Sequence, residues 1–272
     1  MRFRPLHADL GAEVLDFDIQ QGGSAEEIAK LRQAYDEYGM LLFRGGGRIT
    51  PERHVEVISW FGPPGPISNN EDGDIVTVLD NEVSAGSFRL PFHSDNTYTE
   101  VPMKGLCLHP IALPTGGSST SFVSSSAAWL KLSPEMRERL AVLTLRHVLV
   151  IDMPGFDWPD FAADHPVRLL HPRTGEPLLL VTEYHADRIL ELDESESSML
   201  LQELFAHLYA PECIYEHQWQ LHDVLVWDNL MIQHSRKATA DPAAGRRIIQ
   251  RCALGEMGMP ELLRRRRAQL AA

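Results

Sequence analysis

Two stretches of this chain carry residues that can share a transition metal. One is Leu90-Pro91-Phe92-His93-Ser94-Asp95, and the other is Val224-Leu225-Val226-Trp227-Asp228-Asn229 running on to His234. On an extended segment residues i and i+2 point the same way with α-carbons ~6.6 Å apart, so the His93 imidazole and the Asp95 carboxylate can close on one ion. His234 completes two nitrogens and one carboxylate on a single face of an octahedral ion. The opposite positions stay open, a pattern that suits non-haem Fe(II) and oxygen chemistry. The pair alone selects little, because among the twelve histidines His7/Asp9, His93/Asp95 and His185/Asp187 all show it. Context selects. His93 and Asp95 end an irregular stretch just before a strongly apolar run, whereas His7 and His185 read as hydrogen-bonded histidines at strand ends.

Further on, Arg246-Arg247-Ile248-Ile249-Gln250-Arg251-Cys252-Ala253-Leu254 reads as a strand. Its pleat puts Arg247, Ile249 and Arg251 on one side, with the two arginine α-carbons ~13 Å apart. Two guanidiniums on one side of a buried strand require anions, and the guanidinium fork fits a carboxylate in two-pronged fashion. Acidic residues of the chain could supply those anions. The functional alternative is a dicarboxylate cosubstrate at one arginine and an anionic substrate at the other. Arg89, four residues before His93, could add charge to such a pocket or be a solvated loop arginine. Phe88, Phe92, Phe156 and Trp158 could wall it or serve ordinary packing.

The elements that must hold these residues are mostly short strands. Runs rich in Val, Ile, Leu and aromatics recur at Met40 to Phe43, Ile75 to Leu79, Gly105 to Leu113, Ser119 to Val123, Leu143 to Ile151, Leu178 to Thr182, Cys213 to Trp219, Val224 to Trp227 and Ile248 to Leu254. Helices are fewer. Ser24-Ala25-Glu26-Glu27 is a capping box ahead of Ile28, Leu31 and Tyr35, and Gly39 stops that helix. Thr50-Pro51 starts a second helix with Val55 and Ile58 inward, Ser133-Pro134 a third, and Asp193 with Glu196 a fourth carrying Met199, Leu200, Glu203, Leu204 and His207. The loop between Leu170 and Leu178 reads as a hairpin. Many short strands with helices gathered near the start and in one late insertion predict an α+β protein on an antiparallel barrel or jelly roll. Asn81 to Pro91 and Asp152 to Pro166 are irregular enough to be active-site lids or plain surface loops.

Composition bounds the function. The 272 residues include 25 basic and 38 acidic side chains, a net charge of −13, which argues against a nucleic-acid partner. Repelling small dianions at long range, such a chain needs a local positive pocket to bind one. With 44% apolar residues folding is expected, and one domain over 1–272 is the natural reading at this length. The region about 1–62 is expected to pack on the core, and the basic tail about 260–272, with Arg264 to Arg267, to be a solvated helix end. Three widely spaced cysteines suggest no disulfide framework. Without a signal-like apolar start or a ~20-residue apolar span, no membrane contact and a cytoplasmic location are expected.

With these residues in view, the sequence resembles the taurine dioxygenase and 2,4-dichlorophenoxyacetate dioxygenase family of Fe(II)- and 2-oxoglutarate-dependent oxygenases. The likeness runs over nearly the whole chain. It covers Leu41-Leu42-Phe43-Arg44-Gly45, Phe61-Gly62-Pro63, the His93/Asp95 pair, Thr115-Gly116-Gly117 through Thr120, and Trp227-Asp228-Asn229 through His234 to Arg247 and Arg251, in the family's order. It implies a double-stranded β-helix, the cupin-like jelly roll, with flanking helices and lid loops. It also implies iron on His93, Asp95 and His234, Arg247 with Thr120 on the far carboxylate of 2-oxoglutarate, and Arg251 on a substrate's sulfonate or carboxylate. The implied reaction couples oxidative decarboxylation of 2-oxoglutarate by O2 to hydroxylation, or a related C–H oxidation, of a small and anionic organic substrate. Relatives are often dimers or tetramers, so a homo-oligomer is compatible with the likeness.

Departures from the family pattern matter. Phe92 stands where many relatives have tryptophan, so it is a candidate for the substrate wall together with Arg89. Gly116-Gly117-Ser118-Ser119-Thr120 is one residue longer than usual, which makes Ser119 a rival to Thr120. Related halogenases lack the carboxylate, and Asp95 retains it. Two other classes compete: a catalytically silent jelly-roll binding protein, and a zinc hydrolase using the same triad with metal-bound water.

Overall fold

The pleat of Met40–Phe43 shows how the layers arise. Leu41 and Phe43 pack among residues of the N-terminal helices, whereas Met40 and Leu42 point the opposite way, toward Leu106, Phe122, Trp227 and Ile232. A strand buried on both faces reads as an unbroken apolar run, and this one does. The computed structural model describes residues 1–66, 75–81, 89–149, 159–237, 245–255 and 258–271.

Among the described residues the large sheet has eight strands. Its path runs Arg2–Pro5, Ala12–Leu15, Met40–Phe43, Val224–Asp228, Gly105–Ala112, Ile248–Leu254 and Pro64–Gly65, with Thr77–Asp80 also paired to Ile248–Leu254. A second, four-stranded sheet runs Tyr215–Gln218, Ser119–Ser124, Ile232–Arg236 and Leu90–His93. Phe122 and Ile232 of the second sheet meet Leu106, Leu108, Leu225, Trp227 and Ile249 of the first in one buried cluster, so the two sheets face each other. This is the jelly-roll core expected from the sequence. Phe122 is wholly buried between the sheets, where truncation to alanine costs about 3–5 kcal/mol.

The outer face of the large sheet is covered by the helices Ala25–Tyr38 and Pro51–Ser59, which bring Leu31, Tyr35, Val57 and Ile58 onto Cys107, Val226 and Cys252. The first helix opens on the capping box read from the sequence, with Glu27 N–H donating to Ser24 Oγ at 3.3 Å. It ends at Gly39, whose φ of 68° favours glycine, and a Cβ there would come within 2.9 Å of Ile232 Cδ1. The helix end is thereby seated against the strand that carries His234.

Several expectations need correction. In Pro51–Ser59 it is Val57, with His54 and Ile58, that is fully buried, and Val55 only flanks this face. In Glu194–Leu208 the inward face is Ser197, Leu200, Leu201, Leu204 and Leu208, and Met199, one residue before Leu200 and so rotated ~100° from it, is 61% exposed. Residues 161–166, expected as loop, form a strand paired with Thr144–Leu149. A helix over Ser125–Lys131 gave no expected signal. The basic tail is the helix Met259–Ala271, docked through Leu262 on Tyr98 and Phe161. Of the expected lids, Leu90 and Pro91 begin the strand Leu90–His93, and residues 82–88 and 152–158, with Phe88, Phe156 and Trp158, lie outside the described residues. No helix among the described residues is long and apolar enough to cross a membrane.

Candidate active site

The second sheet assembles the triad. Leu90–His93 pairs antiparallel with Ile232–Arg236 so that His93 and His234 are register partners, with ring centroids 4.2 Å apart. The chain then leaves the strand, and Asp95 turns back to them. Its Oδ1 lies 3.3 Å from His93 Nε2 and 3.7 Å from His234 Nε2. One ligand atom from each residue falls within 4.8 Å of the others, the one such group of three or more among the described residues. An ion with bonds of ~2.1 Å places neighbouring ligands ~3 Å apart, so small side-chain adjustments close the set.

Each donor is prepared for a cation. His93 Nδ1 lies 2.8 Å from the Pro91 carbonyl, which accepts its proton and leaves the Nε2 lone pair facing the site. Burial, and then the neighbouring His93, pushes the pKa of His234 down to about 3, so its ring is neutral, the form that ligates. For Asp95 burial acts to raise the pKa. Its close partners His93, His234 and Arg251 outweigh burial and hold the carboxyl well below the usual range. Two imidazole nitrogens and a carboxylate oxygen in this geometry fit a divalent ion of the Fe(II) type.

Asp95 is fixed through its backbone. Asn229 Oδ1 accepts from Asp95 N–H at 2.8 Å, and Asn229 Nδ2 donates to the carbonyls of Asp95 at 3.0 Å and Met103 at 2.8 Å. Asn96, directly after Asp95, has φ 62°, a left-handed conformation that asparagine tolerates better than most residues.

A cavity of about 240 Å³ extends from the triad between the sheets. Trp227, Leu106 and Leu108 form its apolar floor, and Thr120, Arg236, Arg247 and Arg251 line it with polar groups. The cavity has room for small acids. Arg247 and Arg251 share this side of their strand, and Ile249 between them packs in the same inter-sheet core. Arg251 Nη1 donates to Asp95 Oδ2 at 3.3 Å, whereas its Nε and the indole N–H of Trp227 are buried without hydrogen-bond partners. Arg247 is 5% exposed and donates through Nε to Ser118 Oγ at 2.9 Å. Burial, and then the charge of Arg236, lowers its pKa to about 10, still ionised at neutral pH. Thr120 Oγ1 accepts from Trp219 Nε1 at 2.9 Å, which leaves its O–H to donate. Its rival Ser119 points elsewhere, donating to Glu216 at 2.8 Å on the outer side.

Residues 2–253 match the family described as "Taurine catabolism dioxygenase TauD, TfdA family". The chain belongs to the TauD/TfdA family. It is 29% identical over 252 residues to the (S)-phenoxypropionate/alpha-ketoglutarate-dioxygenase of Sphingobium herbicidovorans, covering 85% of this chain and 87% of that one. It is 25% identical over 266 residues to the alpha-ketoglutarate-dependent 2,4-dichlorophenoxyacetate dioxygenase of Cupriavidus pinatubonensis, covering 85% and 90%. A solved taurine dioxygenase from Burkholderia xenovorans superimposes with a TM-score of 0.81 at 25% identity, covering 94% of this chain and 91% of that one.

In this TauD/TfdA-family chain two expected substrate residues stand outside the described cavity lining. Phe92 alternates with His93 on the pleat, so it turns away and stacks on Tyr209 at 4.5 Å and 9° between planes. Arg89 is held by Glu183 at 3.3 Å with its side chain 64% exposed. Two residues were overlooked. Arg236 lies two positions beyond His234 on the same strand, a place that the period of two points to. The role of Asn229 depends on a contact 134 residues away, for which the sequence offers no local signal.

Proposed function

We propose that this 2-oxoglutarate-dependent dioxygenase holds ferrous iron on His93, Asp95 and His234 and hydroxylates, or otherwise oxidises at C–H, a small anionic organic substrate. The observation that carries the reading is the triad opening onto a cavity lined by guanidiniums, with orphaned donors at Arg251 Nε and Trp227 Nε1. When bound, the iron would supply the O2 chemistry that couples decarboxylation of 2-oxoglutarate to substrate oxidation.

The chain's own residues then bind, orient and exclude. Arg247, with Nε tied to Ser118, keeps its terminal nitrogens for the far carboxylate of 2-oxoglutarate, and the Thr120 hydroxyl donates beside it. Arg251 touches Asp95, so an acid paired with it would sit against the metal ligands. Leu106, Leu108 and Trp227 keep the space between these anchors apolar, which strengthens each ionic contact and restrains side reactions of the oxidant. The relatives named for phenoxypropionate and dichlorophenoxyacetate are named for small carboxylates, in keeping with a guanidinium anchor for the substrate.

The test is anaerobic addition of Fe(II) and 2-oxoglutarate to the apoprotein, followed by O2 and a panel of small carboxylates and sulfonates. A weak visible charge-transfer band, and succinate release stimulated by one class of acid, are expected. Absence of the band in protein that binds Fe(II) would refute the reading. His93→Ala, Asp95→Ala and His234→Ala should each abolish succinate release while the protein stays soluble.

A further inference from the structure

The guanidinium of Arg236 has no part in the roles assigned so far. We propose that Arg236 is a second anchor for the cosubstrate, sharing with Arg247 the carboxylate of 2-oxoglutarate that lies farthest from the metal; this rests on the function proposed above.

The position follows from the strand. Arg236 is two residues beyond His234 on Ile232–Arg236, so the pleat turns both toward the cavity, and both line it. His234 pairs with His93, and Arg236 with Leu90, which also lines the cavity. Arg236 therefore sits one strand step, ~6.6 Å, away from the triad, on the side leading from Asp95. Arg251, by contrast, contacts Asp95 itself. The two arginines thus serve opposite ends of the space, and Arg236 belongs to the end farther from the metal.

Arg236 lies on the four-stranded sheet and Arg247 immediately before the strand Ile248–Leu254 of the large one; both line the cavity, and the charge of Arg236 lowers the proton affinity of Arg247. Two guanidiniums brought together in a partly dry space repel each other, and a carboxylate between them converts that repulsion into two charge-assisted attractions. A carboxylate presents two oxygens with about four acceptor directions, enough for both forks and for the Thr120 hydroxyl. Arg236 also has a further interaction within the chain, so its assignment is a share of the anion.

The inference separates binding of the distal carboxylate from binding of the metal-chelating end. Anaerobic, Fe(II)-loaded protein is titrated with 2-oxoglutarate and with 2-oxopentanoate, which has the same carbon chain but no distal carboxylate. The readout is the charge-transfer band. Arg236→Gln should weaken 2-oxoglutarate binding about 10- to 100-fold and leave 2-oxopentanoate within about twofold of wild type. Arg236→Lys should fall between wild type and Arg236→Gln, and it keeps the test available should the glutamine variant not fold. Unchanged 2-oxoglutarate affinity in a folded variant, or an equal loss for both compounds, overturns the assignment. A wild-type protein that binds Fe(II) and shows no band with 2-oxoglutarate overturns the assignment together with the function beneath it, a result distinct from identical titrations of wild type and variant.

Discussion

The side-chain amide of Asn229 grips the backbone of Asp95 on both sides, accepting from its N–H at 2.8 Å and donating to its carbonyl at 3.0 Å. Asp95 lies beyond the end of its strand, where no sheet ladder holds it, and this amide takes the place of a neighbouring strand. Asn229→Ala should therefore weaken Fe(II) or Mn(II) binding about 10- to 100-fold, the range typical of residues supporting a metal ligand. Equilibrium metal titration of the folded variant is the measurement. Wild-type affinity would show that Asp95 is held in place by other means.

Arg251→Ala and Arg247→Ala should separate the two anions. Loss of Arg247 should raise the 2-oxoglutarate KM at least tenfold, because a buried carboxylate loses its charged partner. Loss of Arg251 should raise KM for the primary substrate more than for 2-oxoglutarate. Steady-state kinetics with the best acid from the panel decide this, and an unchanged substrate KM in Arg251→Ala would remove that residue from the substrate site.

Thr120 and Ser119 are adjacent but face opposite sides of their strand. Thr120→Val should reduce 2-oxoglutarate affinity roughly 5- to 20-fold, about 1–2 kcal/mol for a lost hydrogen bond. Ser119→Ala, which frees only Glu216 near the surface, should stay within about twofold. Parallel binding titrations test the pair, and the reverse ranking would assign the hydroxyl to Ser119.

Acid should unfold the protein through histidines remote from the metal. Burial, aided by His109 and His165 respectively, lowers the pKa of His54 and of His147 to about 3, against about 6.5 in an unfolded chain. Above pH ~6.5 both states hold these rings neutral, and stability is unaffected by them. Between ~6.5 and ~3 the unfolded state binds the extra protons, so stability falls as pH falls, by up to about 1.4 kcal/mol per pH unit for each ring. Urea unfolding from pH 7 to pH 4 measures the slope. His54→Leu should flatten it, and an unchanged slope would clear His54 of the effect.

Much of this was legible in the chain because strands speak in periods of two. His93 with Asp95, and Arg247 with Ile249 and Arg251, announce a shared side by spacing alone, and the capping boxes at Ser24 and Asp193 mark helix starts that the structure reproduces. The same rule, applied one residue further, sends Phe92 away from His93 and brings Arg236 along with His234; the strand expected from the sequence, Val224 to Trp227, stops short of the histidine, which lies on a separate strand, Ile232–Arg236. Arg89 was different. Glu183 holds it from 94 residues away, and the clamp of Asn229 on Asp95 spans 134, pairings that arise from topology and leave no mark in local sequence. Met199 misled because it is apolar and adjacent to the inward Leu200, yet lies outside the arc of its helix that faces the core.

The layering described for Met40–Phe43 has a consequence for selectivity. His93 and His234 stand on one sheet and Arg247 immediately precedes a strand of the sheet opposite, so the proposed reach from metal to anchor is set by the spacing of facing sheets, ~10 Å. Phe122, Leu106 and Leu108 act as the spacers of that gauge. On the proposed assignment, the length of diacid accepted depends on this hydrophobic filling, and resizing Phe122, which is outside the described cavity lining, would retune it.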